Sequence, residues 1–338
     1  MVGVINHVPN PDVGQAVALA QAAEKAGARW IGVADAFWWR DVWLLLGQVA
    51  AATERIELGP AMTNPYMRHR FHTASALATL QEMAPGRVFC GVAAGGSEVT
   101  AAAGISRRDA AAMVTELVTF LHEVADSGTL DEASGRGLDI GLDPVPILMA
   151  GRGDQMLGTA GALADRVLLW AIPASDLARS VSIVRDGAAH RRRPPELIWA
   201  PLVRHDDAPH PSIMHVAVYA SLNTAAAVRQ AWGLDDGRVE AIREQLVRGD
   251  TAAAGALVPP GALEDLVFES PDPAPIAAIA REHGVSSLAV PGFDPATVAG
   301  HIDWAASVES LLGPGQTTAG ARKAGLGAAG GGPIDAAG

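Results

Sequence analysis

The chain has 338 residues, with 37 acidic against 25 basic side chains and a formal net charge of −12. A field of that sign repels nucleic acid and anionic membranes and favours a small-molecule partner. Its single cysteine, Cys90, excludes a disulfide framework and fits a reducing compartment.

Apolar strand-like runs alternate with helical periods along most of the chain, the pattern of a parallel sheet with crossover helices. Residues 2–6 read as the first strand, after which Asp12 caps a helix with Ala16, Leu19, Ala20 and Ala23 on one face and Gly27 beyond its end. Strand two covers 30–34, a helix 41–52, strand three 56–62, a helix 72–83 and strand four 88–93. Cys90 lies in that fourth run and reads as an inert small hydrophobe, not a nucleophile. An amphipathic helix over 109–124 carries Met113, Leu117, Phe120, Leu121 and Val124 on one stripe, and the Gly- and Asp-rich stretch 126–143 reads as a loop.

Strand five falls at 147–150, a helix at 155–163, strand six at 167–170, a helix at 176–189 and strand seven at 214–220. An acidic, alanine-rich helical insertion follows over about 222–270, then a helix over 275–283, strand eight at 287–290 and a last helix over 295–311. Eight βα units predict a (β/α)8 TIM barrel, an α/β fold in one domain over 1–312, and no GxGxxG follows the first strand to support an open dinucleotide-binding sheet. The last 26 residues, 313–338, hold 16 Gly or Ala and too little apolar surface to offset the entropy of ordering, so they read as a loose tail. No apolar run approaches the ~18 residues of a membrane span and no signal peptide opens the chain, so the expected location is the cytoplasm.

In such a barrel the reacting groups sit at the C-terminal ends of the strands and in the loops after them. Asn6 and His7 fall there, with Asp35 to Trp39, Ala61 to Asn64, Ala94 to Ser97, Gly151 to Gly153, Trp170 to Ile172, Tyr219 to Ser221 and Gly292. Asn64-Pro65 starts a turn between strand three and the next helix, because proline pushes the residue before it away from helical angles. Gly95-Gly96-Ser97 and Gly151-Arg152-Gly153 are glycine turns that would leave backbone N–H groups at helix N-termini, where the dipole favours a phosphate. Arg152 adds a guanidinium of matching fork geometry. Two such turns on one barrel face suggest a phosphorylated cofactor, although glycine also serves simply to permit tight turns.

Asp35 precedes the aromatic run Phe37-Trp38-Trp39 and then Arg40. A carboxylate beside aromatic walls suits proton transfer, whereas the plainer alternatives are a helix cap and a plug for the barrel end. His69 and His72 are three apart with no third ligand nearby, and no metal site is expected. His7 is the one histidine placed to act in catalysis.

Taken together, Val8-Pro9-Asn10, Asp35 with Arg40-Asp41-Val42, Leu58-Gly59-Pro60, Thr63-Asn64-Pro65-Tyr66, Gly86-Arg87, Met149-Ala150-Gly151-Arg152-Gly153 and Thr159-Ala160-Gly161 carry a likeness. In that order they resemble the bacterial-luciferase-like flavin and deazaflavin oxidoreductases, nearest to the methylenetetrahydromethanopterin reductase branch that uses coenzyme F-420. The resemblance covers about residues 2–312. It implies a deazaflavin across the barrel mouth, a non-proline cis peptide at Ala61-Met62 behind its ring, and a homodimer. Its cofactor contacts map to Asp35, Thr63 and Asn64, to Gly95, Gly96 and Ser97, and to Gly151, Arg152, Gly153 and Met156.

Departures from the family pattern matter as well. Ala36 stands where the family has a histidine, Asn6 aligns with an acidic residue of the methanopterin reductases, and Ala61 replaces a glycine. Phe37, Trp38 and Trp39 stand in place of small polar residues and imply a tighter, more apolar substrate pocket, to which Arg40 also belongs. The resulting expectation is hydride transfer between F-420 and a small organic substrate other than a methanopterin, with Asp35, Asn6 and His7 placing protons. The alternatives are an FMN-dependent monooxygenase of the same fold and a barrel that binds ligand without turnover.

Overall fold

The computed structural model describes residues 2–6, 11–96, 100, 103–107, 109–131, 135–204, 211–268 and 272–313. His7, Ser97 and the stretch 314–338 lie outside the described residues. The first half of the chain alternates β1 (Gly3–Asn6), α1 (Val13–Lys25), β2 (Trp30–Val33), α2 (Val42–Ala52), β3 (Glu57–Pro60), α3 (Arg70–Met83) and β4 (Cys90–Val92). Local chemistry sets these boundaries. Asp12 Oδ1 accepts from Gln15 N at 2.8 Å while Asp12 N donates to Gln15 Oε1 at 3.0 Å, a reciprocal cap that starts α1. Asp41 accepts from the backbone of Trp43 and Leu44 and starts α2.

Helix α4 (Ala110–Ser127) ends on Gly128 in the left-handed region, and a small antiparallel pair, β5 (Thr129–Asp131) and β6 (Arg136–Gly137), occupies part of the stretch expected as loop. Then come β7 (Ile147–Ala150), α5 (Asp154–Leu163), β8 (Arg166–Trp170), α6 (Ala174–Gly187) and β9 (Glu196–Ala200). A short strand β10 (Leu202–Val203) precedes five helices: α7 (Pro211–Asn223), α8 (Ala226–Ala231), α9 (Asp236–Val247), α10 (Thr251–Leu257) and α11 (Pro260–Leu266). The chain returns through β11 (Val267–Phe268), α12 (Pro273–His283), β12 (Ser287–Gly292) and α13 (Val298–Leu312).

Eight parallel strands pair in the order β3-β2-β1-β12-β9-β8-β7-β4, and parallel bridges Leu58–Val88 and Thr63–Val92 bring the two edges together. The result is a (β/α)8 TIM barrel of the α/β class. Its interior is filled by Ile5, Trp30, Phe89, Leu148, Leu168 and Ile198, with Trp30 and Phe89 edge to face at 5.6 Å. A second apolar layer packs the helices onto the outer face of the strands. Every residue of β1, β2, β4 and β12 is buried, the signature of parallel strands covered on both faces.

The seventh strand differs from the sequence expectation. Residues 214–220 are helical, inside α7, and the seventh barrel strand is Glu196–Ala200. A short apolar run rich in Val and Tyr cannot be assigned by composition alone. Its buried residues Ile213, Val216, Ala217 and Ala220 follow the i, i+3, i+4, i+7 spacing of a helix face. Tyr219 to Ser221 therefore belong to that helix and not to a strand end.

At the N-terminal end of the barrel, Arg29 and Arg166 interleave with Glu57 and Glu196. Arg29 meets Glu57 at 3.4 Å and Glu196 at 3.0 Å, Arg166 meets Glu57 at 2.5 Å, and Ser287 Oγ donates to Glu196 at 2.5 Å. This ionic plug closes the end of the barrel away from the loops that follow the strands.

Candidate functional site

The segment after β3 forms one wall of the barrel mouth. The Ala61–Met62 peptide is cis, at the position expected for it. Thr63 N donates to Gly91 O at 2.9 Å and Ala93 N donates to Thr63 O at 3.0 Å, so the segment is stitched to β4. Gly91 has no room for a larger residue: a Cβ there would lie 2.0 Å from Pro60 O and 2.7 Å from Met62 Sδ. The buried Asn64 turns the chain, its Oδ1 accepting from Tyr66 N and Met67 N, both at 3.1 Å.

Asp35, at the end of β2, receives a 2.8 Å hydrogen bond from Thr63 Oγ1. Burial pushes the Asp35 carboxyl above the ordinary aspartate value, opposed by the Thr63 hydrogen bond and the charge of Arg68. Asn6 is buried at the end of β1. Beyond Asp35, Ala36 is buried, Trp39 is partly buried, and Phe37 and Trp38 stand about half exposed, packed edge to face at 4.7 Å. Arg40 is exposed, and one of its guanidinium nitrogens donates to Pro11 O at 3.3 Å.

The adjacent strands β4 and β7 bound a cavity of about 650 Å³, within the size range of small-molecule sites. Gly95, Gly96, Gly151, Arg152, Gly153 and Met156 line it, as do Arg107, Trp170, Tyr219 and Asn223. Gly95 takes a left-handed φ of +72°, and a Cβ there would touch the Asn64 side chain at 3.4 Å, so the first glycine turn sits directly against the turn after β3. A Cβ on Gly151 would fall 2.4 Å from Met156 Cγ, whereas nothing lies within 4 Å of one on Gly153. Gly153 is the N-cap of α5 and offers no side chain to the backbone N–H groups of the first turn.

The structure thus gathers Gly95, Gly96, Gly151, Arg152, Gly153 and Met156 around one cavity. Asp35, Thr63, the Ala61–Met62 peptide and Phe37 to Arg40 do not line it, and the turn after β3 meets it where Asn64 lies against Gly95. Arg152 is not extended into the cavity as a bare fork: its guanidinium donates to Trp170 O at 3.0 Å and Ala220 O at 3.4 Å. A second cation, Arg107, lines the same cavity and donates to Gly95 O. No periodic signal marks Arg107 in the sequence, where it precedes α4. Tyr219 reaches the cavity from a helix, not from a strand end.

A family model described as luciferase-like monooxygenase matches residues 2–301. The 5,10-methylenetetrahydromethanopterin reductase of Methanolobus tindarius is 30% identical over 198 residues, covering 57% of this chain and 61% of the relative, so that match spans under two thirds of the relative's length. The enzyme of the same description from Methanopyrus kandleri is 25% identical over 270 residues, covering 71% of this chain and 77% of the relative. The solved structure of the coenzyme F420 dependent tetrahydromethanopterin reductase from Methanopyrus kandleri superposes with a TM-score of 0.72 at 22% identity, covering 93% of this chain and 97% of that one, a likeness of fold.

Proposed function

Because the chain belongs to the luciferase-like monooxygenase family, we propose that this oxidoreductase-family barrel binds coenzyme F-420 and transfers hydride between it and a small organic substrate other than a methanopterin. The supporting observation is the cavity between β4 and β7, where two glycine turns, the first turn of α5 and the Arg107 guanidinium converge. Backbone N–H groups at a helix start and a nearby guanidinium suit a phosphate, and the volume suits a nucleotide-sized group. When bound, the deazaflavin supplies the carbon that gives or accepts hydride.

The protein's own part is binding, orientation and proton placement. Gly95, Gly96, Gly151 and Gly153 give a ligand backbone surface, and Met156 packs behind Gly151. The wall from Ala61 to Asn64 supports the ring side of the site. Asp35, held by Thr63 and raised toward its neutral form by burial, is the group that gives or takes a proton at its carboxyl oxygen, with Asn6 beside it on the next strand. Phe37, Trp38, Trp39 and Arg40 do not line this cavity, and their part in the proposal is to meet the substrate beyond Asp35. Among the described residues no group of three or more His, Cys, Asp or Glu side chains is placed to hold a metal ion. The protomer is expected to act as a cytoplasmic homodimer, and among the described residues no helix is long and apolar enough to cross a membrane.

Fluorescence titration with F-420 and with FMN, followed by hydride-transfer assays, tests the reading. Saturable F-420 binding with turnover of an alcohol, aldehyde or enone panel supports it. Tight FMN binding with no F-420 affinity overturns it in favour of an oxygen-using monooxygenase, and binding without turnover on any substrate reduces the protein to a ligand carrier.

A further inference from the structure

We propose that Arg179 is a positioning residue for the anion end of this site: it pairs with Asp154, offsets part of its charge and fixes the Gly151–Gly153 turn so that a phosphorylated ligand can approach the first turn of α5. The inference rests on the cavity's being the cofactor site.

Asp154 creates the difficulty. It is the first residue of α5, it lines the cavity, and its side chain is 75% exposed. The same helix dipole that attracts a ligand phosphate attracts this carboxylate, and an unneutralised carboxylate at that place repels the phosphate. Arg179 answers it from the neighbouring helix α6. Its Nε and Nη2 grip the buried Asp176 carboxylate at 2.6 and 2.9 Å, and Ser180 Oγ donates to the same carboxylate at 3.3 Å. Held by that fork, the guanidinium turns Nη1 to Asp154 Oδ1 and donates from Nη2 to Arg152 O at 3.4 Å. Asp176 is only 2% exposed, so the anchor is rigid and the remaining donors have few other places to point. Arg179 is not itself among the residues lining the cavity, and it acts through the side chain of Asp154 and the backbone of Arg152.

The test uses the full chain, with Arg179→Gln, Asp154→Asn and the double variant, titrated by fluorescence with two matched pairs of probes. These are FMN against riboflavin, and F-420 against its phosphate-free deazaflavin chromophore. Arg179→Gln is expected to weaken the phosphorylated member of the bound pair by about tenfold, the cost of roughly one unfavourable charge contact, while the phosphate-free member changes less than about twofold. Asp154→Asn alone should tighten the phosphorylated member, and in the double variant it should recover most of the loss. Equal weakening of both members, or no recovery in the double variant, overturns the proposal. If Arg179→Gln does not fold, Asp154→Asn decides by itself, because an unchanged preference for the phosphorylated member overturns the proposal. A wild-type protein without any preference for the phosphorylated member instead removes the cofactor-site reading, an outcome distinct from a wild-type preference that the variants leave untouched.

Discussion

Thr63 Oγ1 lies 2.8 Å from Asp35 Oδ2, a hydrogen bond that joins the ends of β2 and β3 across one wall of the barrel mouth. Thr63 is 1% exposed, so its hydroxyl has little access to water and the carboxylate is its built-in acceptor. The bond works against burial, which raises the Asp35 pKa while Thr63 lowers it. Thr63→Val keeps the shape and removes the donor. The limb of the pH–rate profile governed by Asp35 should then move to higher pH, measured as kcat/KM between pH 4 and 8 in roughly half-unit steps. An unmoved limb would separate Asp35 from the rate-limiting proton transfer.

Asp35→Asn carries a stability consequence with a definite sign. The folded protein holds the Asp35 proton more tightly than the unfolded chain does, so ionising this group costs folding free energy. That cost is absent below the unfolded aspartate value and grows as pH rises through the folded one. The variant should therefore melt above wild type at neutral pH, with the gap closing as the pH falls toward 4, the ordinary aspartate range. Hydride transfer should fall in the same variant, the usual opposition between stability and a working site. Thermal melts at three pH values, paired with single-turnover rates, check both halves.

Two glycines of the site should respond in opposite ways to the same substitution. Gly91→Ala drives a Cβ to 2.0 Å from Pro60 O, a backbone atom that cannot step aside, and should cost about 1–3 kcal/mol or more in urea unfolding. Gly153→Ala adds its methyl to open space, at a φ of −78° and ψ of 152° that any residue adopts. Its stability should change by under about 0.5 kcal/mol, leaving reduced cofactor affinity as the main effect.

The parts of the molecule with local causes were legible in the sequence. The Asp12 cap, the all-apolar strands and the two glycine turns each follow from a few neighbouring residues. The barrel count of eight was also legible, although composition points to strand seven at 214–220 while the strand is Glu196–Ala200. A run with Val and Tyr satisfies strand composition, and the spacing of Ile213, Val216, Ala217 and Ala220 marks it as a helix. The ties made by long side chains across the fold were not legible. Arg179 reaches Asp154 from 25 residues away, a contact that depends on how two βα units are packed, and Arg107 reaches Gly95 from 12 residues away within the one connection between β4 and α4.

Cys90 is fully buried in β4, and burial pushes its thiol up to about 12. At pH 8 almost none of it is thiolate, the form that reacts with disulfide and maleimide reagents. Native protein should therefore show no reactive thiol over hours. Unfolded in guanidinium it should show one equivalent, because the chain holds a single cysteine. The onset of labelling in a denaturant series then reports opening of the β4 region, the strand to which the Thr63 wall is stitched. A thiol that reacts rapidly in the native protein would contradict the burial.

The ionic plug at the N-terminal end should separate stability from function. Arg166 is 7% exposed and shares Glu57 and Glu196 with Arg29, so Arg166→Met leaves two partly buried carboxylates facing one guanidinium. Breaking a buried pair from one side costs about 3–5 kcal/mol, and the remaining Arg29 should hold the loss toward the lower end of that range. Because Arg166 begins β8 and Trp170, which lines the cavity, ends it, the change falls at the opposite end of the strand from the site. The affinity for F-420 or FMN should stay within about twofold of wild type wherever the variant remains folded, as expected of distant, independent sites. A large loss of affinity at unchanged fold would mean that strain at the plug travels the length of β8, and would move Arg166 from the structural end of the barrel into the working one.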